Sequence, residues 1–239
     1  MDCKITGQKD APTECTDIDG NVYKTIKLGK QVWMAENLKT THYREGTAIV
    51  NPTYATAWEE LFVGAIGTTE WGALLTGAFC GYDNNPSNVS TYSRLYNWCA
   101  VDDVHGLAPE GWHVPTDEEW KELEMYLWLC SADTCSSGVF KQSNEGSQLA
   151  GDASLWIDGY LETNLEFSMG GFIAIPAGGR FLETGVFSGV SSKAGFWTVS
   201  QDDIVDAWIR NIYFMSTLVH RESYNKHSGM SVRCVKDAE

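Results

Sequence analysis

The sequence predicts an α+β domain, rich in loops. Three observations carry this: a hairpin-patterned start, one well-capped helix near the middle, and a second half in which glycine, serine and aromatic residues interleave in short runs. Interleaving of that kind suits short strands joined by tight turns.

The elements follow in chain order. Residues 1–15 form a polar N-terminal extension. In "DIDGNVYKTIKLGKQVWMAENL", Asp19-Gly20 supplies a turn. Val22, Lys24, Ile26 and Leu28 then alternate with Tyr23, Thr25 and Lys27, and Gly29-Lys30 reverses the chain into Gln31–Met34. "TAWEEL" (56–61) and "TEWGAL" (69–74) read as two short helical turns in a long connection. Tyr92, Leu95, Tyr96 and Cys99 fall at helical spacing and predict a helix over 92–99. "HVPTDEEWKELEMYLWL" gives the clearest helix. Thr116 is the N-cap, Glu119 completes a capping box, and Trp120, Leu123 and Leu127 mark the buried stripe. No helix signal of similar quality follows residue 136, so the remainder reads as strands and turns.

The chain has 239 residues and is rich in aromatics, enough for one large packed domain. It contains no apolar run long enough to span a bilayer and no signal-peptide h-region. The net charge of −15 argues against nucleic acid, whose phosphates reward a basic face. The seven cysteines contain no CxxC, and the five histidines are scattered, which argues against zinc. "CSADTC" can close a local disulfide between Cys130 and Cys135, and Cys3 with Cys15 can tie down the N-terminus. Cys80, Cys99 and Cys234 leave one thiol over. Such disulfides would place the protein in an oxidising compartment; the competing reading is buried free thiols.

Several segments then point to one family. "DIDGNVYKTIKLGKQVWMAENLKT", "YSRLYNWCAV", "GLAPEGWHVPTDEEW", "GFIAIPAGGRF" and "SVRCVKD", in that order, resemble the Fibrobacter succinogenes major paralogous domain. The resemblance implies a C-type lectin-like fold over residues 16–239, with two helices and twisted antiparallel sheets. It also implies kinship with formylglycine-generating, sulfatase-modifying enzymes, which share the Pro115, Thr116, Glu119, Trp120 helix start. Those enzymes depend on a late cysteine pair, and here only Cys234 lies past residue 135, so their chemistry does not transfer. Asp102, Asp103, His105 and His113 are explained more simply by turn and surface roles than by catalysis. The expectation is a binding protein and not an enzyme.

"WIRNIYFMSTLVHRES" (208–223) breaks the patterning seen elsewhere, because neither alternating set is cleanly apolar. With its flanks it resembles the diversified segment of variable proteins in Bacteroides and phage diversity-generating retroelements. Trp197, Ala207, Trp208, Arg210, Ile212, Val219, Arg221, Lys226, Gly229 and "SVRCVKD" match the fixed frame. The resemblance implies a variable segment at about 198–229. Its ligand-facing positions are Val199, Asp202, Asp203, Ile204, Val205, Asp206, Ile209, Asn211, Tyr213, Phe214, Ser216, Leu218, His220, Ser223, Tyr224, Asn225 and His227, with Ser228 among the free positions. Met215, Glu222, Thr198-Val199 and Met230 depart from that frame. Ile212 and Val219 are expected inside; Ile209, Tyr213 and Tyr224 are expected outside.

The implied partner is a protein or glycan on a cell surface, and the implied location is extracellular, at the cell surface with or without a lipid anchor, or on a phage particle. A non-variable surface lipoprotein or glycan-binding adhesin of the same fold is the first alternative, and a sulfatase-modifying-type enzyme the second. No cofactor is expected. "DDIVD" raises calcium, since closely spaced carboxylates can share a hard cation, but the E-P-N, Q-P-D and W-N-D motifs of calcium-dependent sugar binding are absent and a solvated acidic loop is the simpler reading. If the disulfides form, reductant lowers the thermal midpoint; an unchanged midpoint in a melt with and without dithiothreitol supports free thiols instead.

Overall fold

A computed structural model describes residues 14–52, 76–128, 144–181 and 186–237. The fold is mixed α+β, with mostly antiparallel sheets. One five-stranded sheet has the order β1-β2-β3-β12-β6, built from β1 (Glu14–Thr16), β2 (Val22–Leu28), β3 (Gln31–Met34), β6 (Trp112–His113) and β12 (Val235–Lys236). A second has the order β11-β10-β9-β7-β8, from β7 (Ala177–Arg180), β8 (Phe187–Val190), β9 (Lys193–Gln201), β10 (Asp206–Tyr213) and β11 (Val219–Asn225). A two-stranded ribbon joins β4 (Phe79–Cys80) to β5 (Leu95–Tyr96). Among the described residues the α-helices are α1 (Pro86–Tyr92), α2 (Trp98–Val101), α3 (Asp117–Trp128) and α4 (Glu145–Leu149).

The β2–β3 hairpin forms as its alternation predicts, with Gly29 at φ 62 in the reversal. That backbone region suits a residue without a Cβ. The sheet starts slightly before residue 16, because Glu14 and Cys15 already pair with β2. The α3 capping box closes in both directions: Thr116 N donates to Glu119 Oε2 (2.8 Å), and Glu119 N donates to Thr116 Oγ1 (3.2 Å). Trp120 and Leu123 are fully buried, as the stripe predicts.

Other expectations need correction. The helix expected over 92–99 is divided. Chain α1 ends at Tyr92, Ser93 turns through φ 65, and Leu95–Tyr96 pair with Phe79–Cys80 as a strand. Leu95 and Tyr96 are buried by that pairing, so their helical spacing is a coincidence of core residues around a turn. The short α4 was not anticipated. Its residues are buried under the chain around Thr217 and Leu218, which leaves no amphipathic stripe to read. The two short helical turns expected within 56–74 lie outside the described residues. So do Cys3, Cys130 and Cys135. Cys15 carries a free thiol, buried in the core and pushed up to about 11 by that burial; Cys80, Cys99 and Cys234 are also free.

Two apolar clusters fill the body. One gathers Tyr23, Met34, Trp98, Trp112, Trp197, Ile209 and Met230. The other is aromatic: Trp120 lies 5.0 Å from Trp33, 5.6 Å from Phe172 and 5.7 Å from Phe196, ring centre to ring centre. Arg233, in the "SVRC" segment, is buried between them. Its guanidinium donates to Asn37 Oδ1 (2.8 Å) and to the carbonyls of Met34, Phe172 and Ile173, and lies 4.4 Å from the Phe172 ring. Its planar fork serves several acceptors at once, which an ammonium would do less well.

Two ties hold α3 in place. His113 bridges Glu119 Oε1 (2.7 Å) and Asp237 Oδ1 (2.6 Å), clamping the α3 start to the chain after β12. Those hydrogen bonds to carboxylates raise the His113 pKa, with Glu119 the larger cause. Its stabilisation is complete below the unfolded value of 6.5 while the carboxylates remain ionised, and is lost as pH rises through the folded value. The thermal midpoint should therefore fall between about pH 6 and about pH 8 by more in the native chain than in His113→Gln; equal falls in both would remove this account. The second tie is Asp117, 5% exposed, which accepts from Arg210 Nη1 (2.7 Å) and from Arg221 Nε (2.8 Å). Asp117→Asn leaves the buried Arg210 charge short of a partner and should cost about 3–5 kcal/mol in urea unfolding. A loss within experimental error would show that the pair is not coupled to the fold.

Candidate functional site

The segment that lost its patterning is the β10–β11 hairpin and its flanks. Register assigns each side chain to a side of the sheet. Arg210 lies opposite Arg221 and Phe196; Asn211 lies opposite His220 and Gly195; Ile209 lies opposite Glu222 and Trp197. Residues directly opposite share a side. Trp208, Arg210, Ile212, Val219, Arg221 and Ser223 therefore point one way. Ile209, Asn211, Tyr213, His220, Glu222 and Tyr224 point the other.

The first side packs on α3. Arg210 is fully buried. It donates to Asp117 Oδ1, to the Asp117 carbonyl (3.2 Å) and to Glu124 Oε1. Arg221 donates to both Asp117 oxygens and stacks 3.2 Å from the Trp208 ring centre. The hydrogen bond from Arg221 and the charge of Arg210 overcome burial and hold the Asp117 carboxyl far below its ordinary range. Ile212 and Val219 join the aromatic core, as expected from sequence.

The second side carries a polar and aromatic cluster. Asn211 Nδ2 donates to Glu222 Oε2 (2.7 Å), and the Tyr213 hydroxyl donates to the same carboxylate (3.1 Å). The Lys193 ammonium, from the start of β9, lies 4.5 Å from the Tyr224 ring centre, 5.2 Å from Phe181 and 5.7 Å from Tyr213. Burial lowers the Lys193 pKa to about 8, with the Glu222 charge opposing the shift. Burial also raises both tyrosines and lowers His220, which meets Tyr213 edge-on at 5.2 Å. Gly195 makes room for this arrangement. A Cβ there would stand 2.9 Å from Asn211 Oδ1.

Above the sheet the β9–β10 turn exposes Asp202, Asp203, Ile204 and Val205. The Asp203 carboxylate accepts from the amides of Val205 and Asp206 (both 2.7 Å), so it shapes the turn. Among the described residues, no group of three or more His, Cys, Asp or Glu is arranged to hold a metal. Beside the turn a groove of about 580 Å³ opens. Trp98, Cys99, Asp102, Asp103 and Val104 form one wall; Ile204, Val205, Asn225, Lys226 and His227 form the other. Lys226 is a fastener in it. Its ammonium donates to Gln201 Oε1 (2.7 Å) and to the carbonyls of Asp203 and Ile204, and sits 4.7 Å from the Trp98 ring centre.

The structure thus brings half-buried Tyr213, His220 and Tyr224 onto one side of the sheet, with Asn211 beneath them, and Ile204, Val205, Asn225 and His227 into one groove. Asp206 is half-buried at the start of β10. Several expected positions fall elsewhere. Ile209 is fully buried and not exposed, because it faces Trp197 in the middle of a three-strand array. Asn211, though on the surface-facing side, is itself fully buried beneath Glu222 and Tyr213. Val199 packs against the first core, and its amide donates to the Pro115 carbonyl (2.9 Å). Phe214 packs against the aromatic core, Ser223 lies on the α3 side opposite Trp208, and Ser228 is buried in the turn after β11. Ser216 and Leu218 belong to the β10–β11 connection, where Ser216 Oγ meets His220 Nε2 (2.9 Å) and the Leu218 amide (3.2 Å). Sequence reading missed Lys193, Phe181 and the Trp98–Val104 wall. Nothing in the local pattern marks Lys193, which ends a serine turn and reads as solvent-facing.

Comparison with known families matches residues 26–236 to the Fibrobacter succinogenes major domain (Fib_succ_major). No curated protein and no solved structure matches the chain. The matched stretch takes in both five-stranded sheets from β2 onward and ends on β12, just past the "SVRC" segment whose Arg233 is buried in the core. The chain belongs to the Fibrobacter succinogenes major domain family.

Proposed function

We propose that this is a ligand-recognition protein of C-type lectin-like fold whose C-terminal segment forms a variable binding face, the target of a diversity-generating retroelement. The partner is a protein or glycan on a cell surface, and the protein acts outside the cell, at its surface or on a phage particle. Recognition, and not turnover, is its activity.

One observation carries this reading. Five residues that resemble a fixed frame (Trp208, Arg210, Ile212, Val219 and Arg221) lie on the α3 side of the hairpin, with Ala207 and Trp197 of that frame buried on the other, where Asn211, Tyr213, His220 and Tyr224 also lie. That division explains why the alternation fails. One side is constrained by charge pairing under a helix; on the other, Ile209 and Asn211 are buried and Tyr224 rests against the first core, while Tyr213, His220 and Glu222 are half-buried. The composition of the second side also suits recognition. Tyrosines give contact area at low entropic cost, and a carboxylate, an amide and an imidazole beside them fix orientation. Burying one such ring on a partner supplies roughly 1.5–3 kcal/mol, and a standard interface takes about 800 Å² from each partner. The face with its neighbouring turn and groove offers enough side chains for that.

The test is binding to protein and glycan arrays by the native chain and by a Tyr213→Ala/Tyr224→Ala double variant. Loss of the native signals by about tenfold or more in the variant is expected, given two truncated aromatic contacts. Identical array profiles would sink the reading, as would flanking DNA without a reverse transcriptase gene and a near-copy of the 3′ end differing at adenines.

A further inference from the structure

We propose that the outer edge of β11 is a strand-addition site that takes an extended, basic segment of a protein partner. The inference rests on the recognition role above and narrows the partner from protein or glycan to protein.

The direction of the β11 backbone groups follows from bonds at its two neighbours. Thr198 Oγ1, on β9, donates to the Trp208 carbonyl (2.9 Å), so the even-numbered residues of β10 turn their peptide groups toward β9. The odd-numbered residues of β10 then face β11 and pair with Tyr224, Glu222 and His220. Val219, Arg221, Ser223 and Asn225 must point away from the sheet. The bonds at the strand ends agree: Val219 N donates outward to Glu145 Oε1 (3.3 Å), and Lys226 N donates inward to the Val205 carbonyl. At the centre of the edge, the amides and carbonyls of Arg221 and Ser223 have no hydrogen-bond partner among the described residues.

Folded proteins ordinarily blunt such an edge with a short strand, a bulge, proline or lysine. The other edges follow that rule. Strand β1 has three residues and β6 two. Strand β8 has four and bends through Gly189 at φ 84. Strand β11 has seven residues in unbroken register, contains no proline or lysine, and among the described residues is capped only at its ends, by Glu145 at the Val219 amide and by the Ser228 amide at the Asn225 carbonyl (2.8 Å). Two unpaired residues spaced one apart are the pattern that an extended chain completes, its own amides and carbonyls bonding alternately along it. A glycan offers no such repeat.

Charge selects the kind of segment. A residue added opposite Glu222 shares that side chain's side of the sheet. Glu222 accepts from Asn211 and Tyr213, but among the described residues its carboxylate has no direct ion pair. Asp206 pairs with Asn225 from the inner side of β11, the adjoining β9–β10 turn exposes Asp202 and Asp203, and the chain as a whole carries −15. A Lys or Arg opposite Glu222 would complete the cluster.

The probe is a displayed library of random decapeptides, selected on the native chain and counter-selected on Ser223→Pro. The Ser223 amide points outward, so proline there removes an edge donor without breaking a bond to β10. Selected peptides should bind the variant about tenfold or more weakly, carry Lys or Arg at one fixed position, and slow hydrogen exchange at the Arg221 and Ser223 amides. A second arm does not depend on the variant folding. N-methylation of one alternating set of peptide amides should abolish binding and of the other set should not. Equal tolerance of both sets, selection without a basic position, or a library yielding no binder sensitive to Ser223→Pro would overturn the proposal. So would exchange protection that grows with protein concentration alone, which would assign the edge to a second copy of this chain. Array binding that survives Ser223→Pro but not Tyr213→Ala/Tyr224→Ala would refute this inference and leave the recognition role standing.

Discussion

The buried charge cluster around Asp117 is the constraint on which the C-terminal half depends. Asp117 opens α3, where a carboxylate is already favoured by the helix dipole. It then accepts from Arg210 on β10 and Arg221 on β11. Removing two guanidinium groups from water is costly, and only near-complete pairing offsets that cost. The pairing here is close to complete: Glu124, the Asp117 carbonyl and the Trp208 ring take what the Asp117 carboxylate leaves. The consequence is register. A slip of one residue in either strand would send one arginine to the opposite side and leave its charge alone.

Register is fixed from the helix side, while the other side of the same hairpin mixes buried Ile209 and Asn211 with half-buried polar and aromatic groups. There the Glu222 carboxylate, the Lys193 ammonium and two tyrosines form a cluster in which no group reaches full burial with full pairing: Asn211 is fully buried, yet its Oδ1 has no hydrogen-bond partner among the described residues. Lys193 shows the trade. Its ammonium is enclosed by three rings and not by carboxylates, so the charged form is disfavoured and the pKa drops.

Legibility in the sequence followed locality. The β2–β3 hairpin and the α3 start were readable because their causes lie within a few residues: a glycine in the reversal, and a Thr116–Glu119 box that closes on itself. The helix expected at 92–99 failed because Leu95 and Tyr96 are buried by a partner strand sixteen residues upstream, and spacing alone cannot distinguish that from a helix stripe. The α4 turn failed because its environment is set by residues some seventy positions away. In the hairpin, Arg210 and Arg221 were legible only as members of a resembled frame; their partner, Asp117, lies some ninety to a hundred residues upstream and no local pattern names it. Ile209 was misplaced because strand alternation gives sides but not depth. Both sides of a central strand can be covered, and Trp197 covers this one.

Lys226 gives the groove a mechanical property. Its single ammonium holds two carbonyls and an amide oxygen of the β9–β10 turn while resting on Trp98 of the opposite wall. The backbone of the same residue adds a second tie, its carbonyl accepting from the Trp98 amide (2.8 Å) and its own amide donating to the Val205 carbonyl (3.0 Å). Cleft wall and overhanging loop are thus fastened to one residue, and a shift of Lys226 displaces both together.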